Sequence, residues 1–395
     1  MVKFCFDLII DNIPCPNLAL WQAEPKTPSW GQYSKNWPYS EPLYFLEYLD
    51  KYKIDYIVDT VENADRNFLY PISISYLDLS IQWFELLSPL VLEKLKQQSL
   101  RLIFFYSEAD NPYKIKQHID AQRERAGIGE TQVLFVSANS VADSIPYFFH
   151  FVDDELLFGL RNTGRVDVGD WPRAKKFTAL VRTHKRWRAN TMAWFWRQNL
   201  HELGYFGYNN YLVVDDETPK DNPIDESLFH DLSDITDDFL KAAPFRADDL
   251  DSDTHNLYAT NVWDHYSNAY LNLVLETHLD IDSTNGVFFS EKIFKPIKHG
   301  QMFIVFGAAN SLKLLKDMGY RTFDHVIDNN YDTIEDNSLR WHAAVNEATR
   351  LITHPNLREL YFECREDLIH NQNLFHACKQ DRLNTLLKKI TNDNH

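Results

Sequence analysis

Apolar and polar residues follow two different periods along the first half of the chain. Near-continuous apolar runs at 2–10, 56–59, 102–106 and 133–137 read as strands, while 81–97 and 113–125 between them place apolar residues at helical spacing. Strands separated by helices in this way predict βα units and a parallel sheet. Residues 14–42 break the alternation with Pro14, Pro16, Pro25, Pro28, Pro38 and Pro42, interleaved with Trp21, Trp30 and Trp37. So much proline opposes both ladder and helix, so the segment reads as a packed surface loop, with an acceptor-binding loop as the other reading.

Turn chemistry gathers near 161–172, where Asn162, Thr163 and Gly164 are followed by Gly169, Asp170, Trp171 and Pro172, ahead of a new strand pattern at 177–182. A domain boundary is expected there. The second half resumes the alternation with strands at 210–214, 272–277 and 302–306, and ends in helical segments from 337 to 390. The chain is therefore expected to be α/β, with a first lobe at 1–165, a second at 170–350 and C-terminal helices over 351–395.

Composition narrows the function classes. The chain has 395 residues, with 40 Lys+Arg against 57 Asp+Glu and a formal net charge of −17. Affinity for a phosphate backbone comes from Lys and Arg, so a general nucleic-acid binder is excluded. Cys5, Cys15, Cys364 and Cys378 lack zinc-site spacing and are too few for a disulfide framework, which predicts free thiols in a reducing compartment. The amino-terminal apolar run is broken by Lys3 and Asp7, and no run approaches the ~18–20 residues of a spanning helix. A cytoplasmic protein is expected, with any membrane association peripheral.

Charge is segregated. Residues 171–200 carry eight Lys/Arg and no acid, whereas 215–254 carry fourteen Asp/Glu against three Lys/Arg. The acidic run reads as a solvated face. The basic run beside a strand end suits a local anion site.

The segment 271–307, LNLVLETHLDIDSTNGVFFSEKIFKPIKHGQMFIVFG, carries the most chemistry. A strand ends at Glu276, a polar turn follows, and Ser290 stands where an N-cap is expected. Glu291 and Lys292 fall in the first turn of the helix, Lys295 and Lys298 lie beyond, and Gly300 stops it. The apolar run 302–306 fits a strand covered on both faces. Free N–H groups and the positive dipole end beside a lysine suit a phosphate or pyrophosphate. A carboxylate in the same turn can accept hydrogen bonds from sugar hydroxyls. Taken alone, Ser-Glu-Lys also fits a well-capped surface helix.

The order Asn-Leu, a strand-ending Glu, a turn, an aromatic, Ser-Glu-Lys and a helix leading to an apolar strand that ends in Gly resembles the donor-binding signature of the α-1,3-fucosyltransferases, glycosyltransferase family 10. Glu276 matches the glutamate, Phe288 the aromatic, and Ser290, Glu291 and Lys292 the triplet. The stretch 175–195 resembles the family's first donor-domain strand and turn, where Arg188 matches an arginine that contacts the pyrophosphate; Arg182 and Arg186 stand near enough to take the same part. In the first lobe, 101–111 resembles the strand and turn that supply the family's general base. Glu108 matches that base, with Ser107 and Ala109 standing where the family has Gly and Asn. Thr277 and His278 also depart from the family's Asn-Ser/Thr, and the turn before Ser290 is longer. The stretch 307–340 looks like bacterial and phage relatives rather than animal enzymes.

The resemblance implies a GT-B type fold, two Rossmann-like lobes with parallel sheets facing a central cleft. It implies inverting, metal-independent transfer of fucose or a similar sugar from a nucleotide-diphosphate donor, a GDP-sugar favoured, to a glycan or glycolipid hydroxyl. No cofactor beyond the nucleotide-sugar co-substrate is implied. Glu108 is then the base, Arg188 and Lys292 clamp the diphosphate, and Glu291 binds sugar or ribose. Glu276, Phe288, Ser290 and Lys295 complete the donor site.

Two other readings stand beside this one. Asp249-x-Asp251, Asp251-x-Asp253 and Asp280-x-Asp282 have the spacing of a metal-binding D-x-D in a Mn- or Mg-dependent glycosyltransferase. A non-catalytic carbohydrate binder would use the Trp and Tyr residues as platforms. The fifteen histidines show no paired metal spacing, and His299 reads as a polar helix-end residue.

Overall fold

The computed structural model describes residues 1–10, 13–15, 46, 49–50, 53–74, 79–106, 112–137, 145–146, 168–169, 171–181, 184–208, 232–247, 263–279 and 287–391. The chain is mixed α/β and contains two parallel sheets. It divides into two compact units, one of Met1–Leu157, Asp282–Gly286 and Lys379–His395, the other of Phe158–Ile281 and Val287–Cys378.

The first unit holds β1 (Val2–Phe6), β2 (Leu8–Ile10), β3 (Ile13–Cys15), β4 (Tyr56–Thr60), β5 (Phe68–Ile74), β6 (Arg101–Tyr106), β7 (Val133–Ser137) and β8 (Ile145–Pro146). Its helices are α1 (Pro89–Lys96) and α2 (Pro112–Arg125). β2 and β3 form an antiparallel pair; the others form a six-stranded parallel sheet in the order β4-β1-β5-β6-β7-β8. Successive side chains of β6 point to opposite faces. Leu102, Phe104 and Tyr106 join Tyr70, Val91, Leu95, Ile115 and Ile119 on one side. Ile103 and Phe105 join Phe4, Phe6, Leu46, Leu49, Leu386 and Ile390 on the other. Both faces being covered is why this strand reads as an unbroken apolar run.

β5 is not among the strands expected from the sequence, and it carries Pro71, a residue uncommon on inner strands. The sheet accommodates it locally. β1 pairs with β5 at Lys3↔Phe68 and Phe4↔Leu69, and the pairing stops short of Pro71, which has no N–H to donate. The helix expected over 81–97 is shorter, because Ser88 accepts a hydrogen bond from the Val91 N–H as N-cap and Pro89 occupies the first helical position.

The second unit holds β9 (Lys175–Val181), β10 (Gly204–Tyr208), β11 (Ala269–Leu275) and β12 (Met302–Phe306). Its helices are α3 (Arg186–Arg197), α4 (Ser233–Ala242), α5 (Trp263–Ser267), α6 (Glu291–His299), α7 (Ser311–Asp317), α8 (Asn337–Thr353), α9 (Leu357–Glu363) and α10 (Arg365–Thr391), the last continuing into the first unit. The strands form a parallel sheet in the order β10-β9-β11-β12. The strand expected at 210–214 lies outside the described residues; β9 pairs instead with Gly204–Tyr208. Gly204 looks like a turn residue in sequence, yet a Cβ there would lie 2.5 Å from the Phe177 ring, so the strand needs glycine to pack against β9.

Cys5 and Cys364 are free and buried. Burial pushes the Cys364 thiol up to about 12. Among the described residues no helix is long and apolar enough to cross a membrane.

Candidate functional site

The strand order of the second unit reverses between β9 and β11. β9 leads through α3 to β10 on one side, and β11 leads through α6 to β12 on the other. In open parallel sheets, ligands bind outside the carboxyl ends of strands at such a switch point. Arg188, Glu276, Ser290 and Lys292, all singled out in the second half, meet there.

α3 begins just past the end of β9 and brings Arg188 into its first turn. Arg188 is 3% exposed, and its Nε and Nη2 both donate to the backbone carbonyl of Glu276, at 3.1 and 2.5 Å. Lys185 Nζ donates to the next carbonyl, that of Thr277, at 2.8 Å. Two cations at the start of α3 thus fasten the turn that follows β11. Arg186 takes another direction and pairs with Asp237 of α4 at 3.1 Å.

The Glu276 side chain is 2% exposed. Its Oε2 accepts from Ser290 Oγ at 2.6 Å, from Thr277 N at 3.2 Å and from Ser290 N at 3.4 Å. Ser290 caps α6, its Oγ accepting from Lys292 N at 3.2 Å and from Lys292 Nζ at 3.1 Å. The strand-ending glutamate and the Ser-Glu-Lys triplet, well apart in sequence, therefore form one chain of hydrogen bonds: carboxylate, hydroxyl, then helix N–H and ammonium. Gly307 follows β12 beside this point; a Cβ there would make ordinary contact with Glu276 Cβ at 3.6 Å and would crowd Val305 Cγ1 at 3.2 Å and Ser311 Oγ at 3.3 Å.

Phe288 is buried just ahead of the cap, and Phe289 packs edge-on against Phe294 of α6. Lys295 lies half-buried along α6 beyond Lys292. His299 ends the helix as a buried residue whose pKa is pulled down to about 3 by desolvation, then by Lys298 and Lys295, so it is neutral. Gly300 closes α6 at φ 64, a left-handed cap suited to glycine. Glu291 opens α6, its side chain lying outside the described residues. Glu108, Arg182, Asp249, Asp251, Asp253, Asp280 and Asp282 also lie outside them, as do Trp21, Trp30 and Trp37.

Two residues at this end of the sheet went unnoticed in the sequence. Lys185 was one cation among eight. Arg340 of α8 is 3% exposed, and its guanidinium donates to the carbonyls of Gly307 at 3.0 Å, Ile334 at 2.7 Å, Glu335 at 3.1 Å and Leu279 at 2.6 Å, and to Asn337 Oδ1. It ties the turn after Glu276 to the end of β12 and the start of α8. Its signal was present: Arg340 precedes Trp341 on the buried stripe with Ala344, Val345 and Ala348, where an arginine needs several acceptors.

Chemically, the arrangement offers a helix start, a half-buried ammonium and a rigidly held turn at the carboxyl ends of two parallel strands, a combination suited to a phosphate-bearing ligand. Comparison with models of protein families, with curated proteins and with solved structures returns no match.

Proposed function

We propose that this chain is an inverting, metal-independent glycosyltransferase of the GT-B type that moves fucose or a similar sugar from a nucleotide-diphosphate donor to a hydroxyl of a glycan or glycolipid. A GDP-sugar is the favoured donor and the cytoplasm the favoured location, with any membrane association peripheral. The observation that carries this is the Glu276–Ser290–Lys292 chain at the switch point of β9 and β11. It joins, by direct hydrogen bonds, the residues that match the donor signature of glycosyltransferase family 10.

In this reading the α6 N-terminus and Lys292 receive the diphosphate. Negative charge grows on the departing nucleoside diphosphate, and a preorganised cation with aligned N–H groups stabilises it without reorganising. Arg188 is the family's diphosphate arginine by position. Its hydrogen bonds to Glu276 add a second task, holding the turn on which that site is built. Glu291 takes the sugar or ribose contact, and Lys295, farther along the same helix, completes the donor site. Glu108 takes the acceptor proton as the sugar carbon is attacked from the face opposite the leaving group.

The test is a thermal-shift series against GDP, UDP, CMP and ADP, followed by a donor screen. GDP is expected to stabilise the protein. No stabilisation by any of the four would overturn the reading in favour of a carbohydrate-binding protein. Transfer is expected to survive EDTA; loss restored by Mn or Mg would overturn its metal-independent part.

A further inference from the structure

The cations at the start of α3 stand where electrostatics disfavours them. A helix N-terminus carries a partial positive charge, and its cap position favours Ser, Thr, Asp or Asn. α3 has Lys185 as its N-cap with no side-chain cap bond, Arg186 and Arg188 in the first turn, and no acid there. Arg186 is paired with Asp237 of α4. Lys185 and Arg188 reach the turn after β11, so that turn, and not the helix, accounts for their placement.

The turn is bonded peptide by peptide. The carbonyl of Glu276 accepts from Arg188, and the N–H of that same peptide, belonging to Thr277, donates to Glu276 Oε2 at 3.2 Å. The next carbonyl, that of Thr277, accepts from Lys185 Nζ at 2.8 Å. Farther along, the carbonyl of Leu279 accepts from Arg340 at 2.6 Å. The backbone of residue 277 is therefore held from both of its peptides, which fixes the direction in which its N–H meets the carboxylate. Glu276 Oε2 in turn meets Ser290 Oγ, and Ser290 Oγ accepts from Lys292 Nζ. An unbroken path runs from the Lys185 ammonium through Thr277, Glu276 and Ser290 to the Lys292 ammonium.

We propose that Lys185 is a positioning residue for the Lys292 ammonium. It acts through the Thr277 backbone on the Glu276 carboxylate, and through Ser290 on Lys292, without touching a ligand. The consequence for binding rests on the glycosyl-transfer reading, in which Lys292 receives the donor diphosphate. A cation already held in its working position binds without an ordering cost, so loosening the far end of the path weakens donor affinity.

The experiment compares wild type, Lys185→Met and Lys185→Arg by hydrogen-exchange mass spectrometry on the ligand-free chain, by urea denaturation, and by GDP calorimetry at a temperature where each is fully folded. Lys185→Met keeps an apolar stem and removes a cation from the positive end of α3, so it is expected to fold with near wild-type stability. Exchange in the peptide spanning 288–294 is expected to rise about tenfold in Lys185→Met, with the buried part of α8 unchanged, and the GDP Kd to rise about tenfold. Lys185→Arg is expected to recover most of both, since a guanidinium also donates to a carbonyl. Where wild type binds GDP, an unchanged affinity in Lys185→Met overturns the inference, because a purely structural lysine would move stability alone. Unchanged exchange at 288–294 also overturns it; combined with weaker GDP binding, that result makes Lys185 a direct ligand contact. Faster exchange at 288–294 with no GDP binding by wild type overturns the transfer reading alone and supports Lys185 as the residue that positions Lys292.

Discussion

Ser290 donates its hydroxyl to Glu276 Oε2 at 2.6 Å, and the Ser290 Oγ in turn accepts the backbone N–H of Lys292 at 3.2 Å. One hydroxyl both partners a buried carboxylate and caps the helix that would receive the donor. Ser290→Ala removes both contacts. A lost donor to a buried charged group costs about 1–3 kcal/mol, and a lost N-cap about 1 kcal/mol. The expected outcome is a stability loss of about 2–4 kcal/mol in urea denaturation, with Ser290→Thr recovering most of it. A loss near zero would show that the hydroxyl bonds contribute little.

Lys292 separates fold from ligand binding. Its ammonium is half-buried and donates to Ser290 Oγ, which keeps its bonds to Glu276 and to the backbone N–H of residue 292 in a Lys292→Ala variant. Stability should change by less than about 1 kcal/mol, as for a partly exposed polar contact. GDP affinity should fall about 10- to 100-fold, the effect of losing a charge-assisted contact to phosphate, as read by calorimetry. Lys292→Arg should restore part of it, because a cation returns with a different reach. Equal GDP affinity in the alanine variant would remove Lys292 from the site.

Much of this was legible in the sequence for identifiable reasons. β7 and β12 match their predicted runs because both faces of each strand are covered, so nearly every position is apolar. The Ser290 cap and the Gly300 stop were readable because each follows from local backbone chemistry. β5 was not legible, and the fit of its Pro71 depends on where β1 stops pairing, a property of the assembled sheet. Gly204 hid β10 in the same way, through its approach to Phe177. In the candidate site, the residue types were visible but their bonding was not. Arg188 reads as a cation for phosphate, and only the fold reveals that it also grips the Glu276 carbonyl.

Arg340 is the test of how far the turn after Glu276 depends on remote support. Its guanidinium bridges Leu279 O and Gly307 O, which lie on separate segments, and also holds Ile334 O and Glu335 O. Arg340→Leu leaves the buried Leu279 and Gly307 carbonyls without that donor, at a cost of about 3 kcal/mol or more. Arg340→Lys should recover less than half, since one ammonium cannot reproduce the planar fork. In the lysine variant GDP affinity is expected to fall alongside stability. Full GDP affinity in a destabilised lysine variant would separate Arg340 from the site.

His299 sets a pH dependence whose sign can be worked out. Its pKa lies at about 3 in the folded chain, against an ordinary 6.5, because burial and the nearby Lys298 and Lys295 disfavour the imidazolium. Above 6.5 the ring is neutral whether the chain is folded or not, and it contributes no penalty. As the pH falls below 6.5 the unfolded chain takes up a proton that the folded chain does not, so stability drops until about 3. The slope for one proton is about 1.4 kcal/mol per pH unit. Asp332, whose carboxyl is held above the usual range by burial, titrates in the opposite sense, losing stability as the pH rises through its folded pKa. Comparing wild type with His299→Gln cancels that contribution, because Asp332 is present in both. Urea denaturation between pH 6.5 and about 3 should show a slope shallower by nearly one proton in the glutamine variant. Equal slopes would mean that His299 takes up its proton in the folded chain as readily as in the unfolded one.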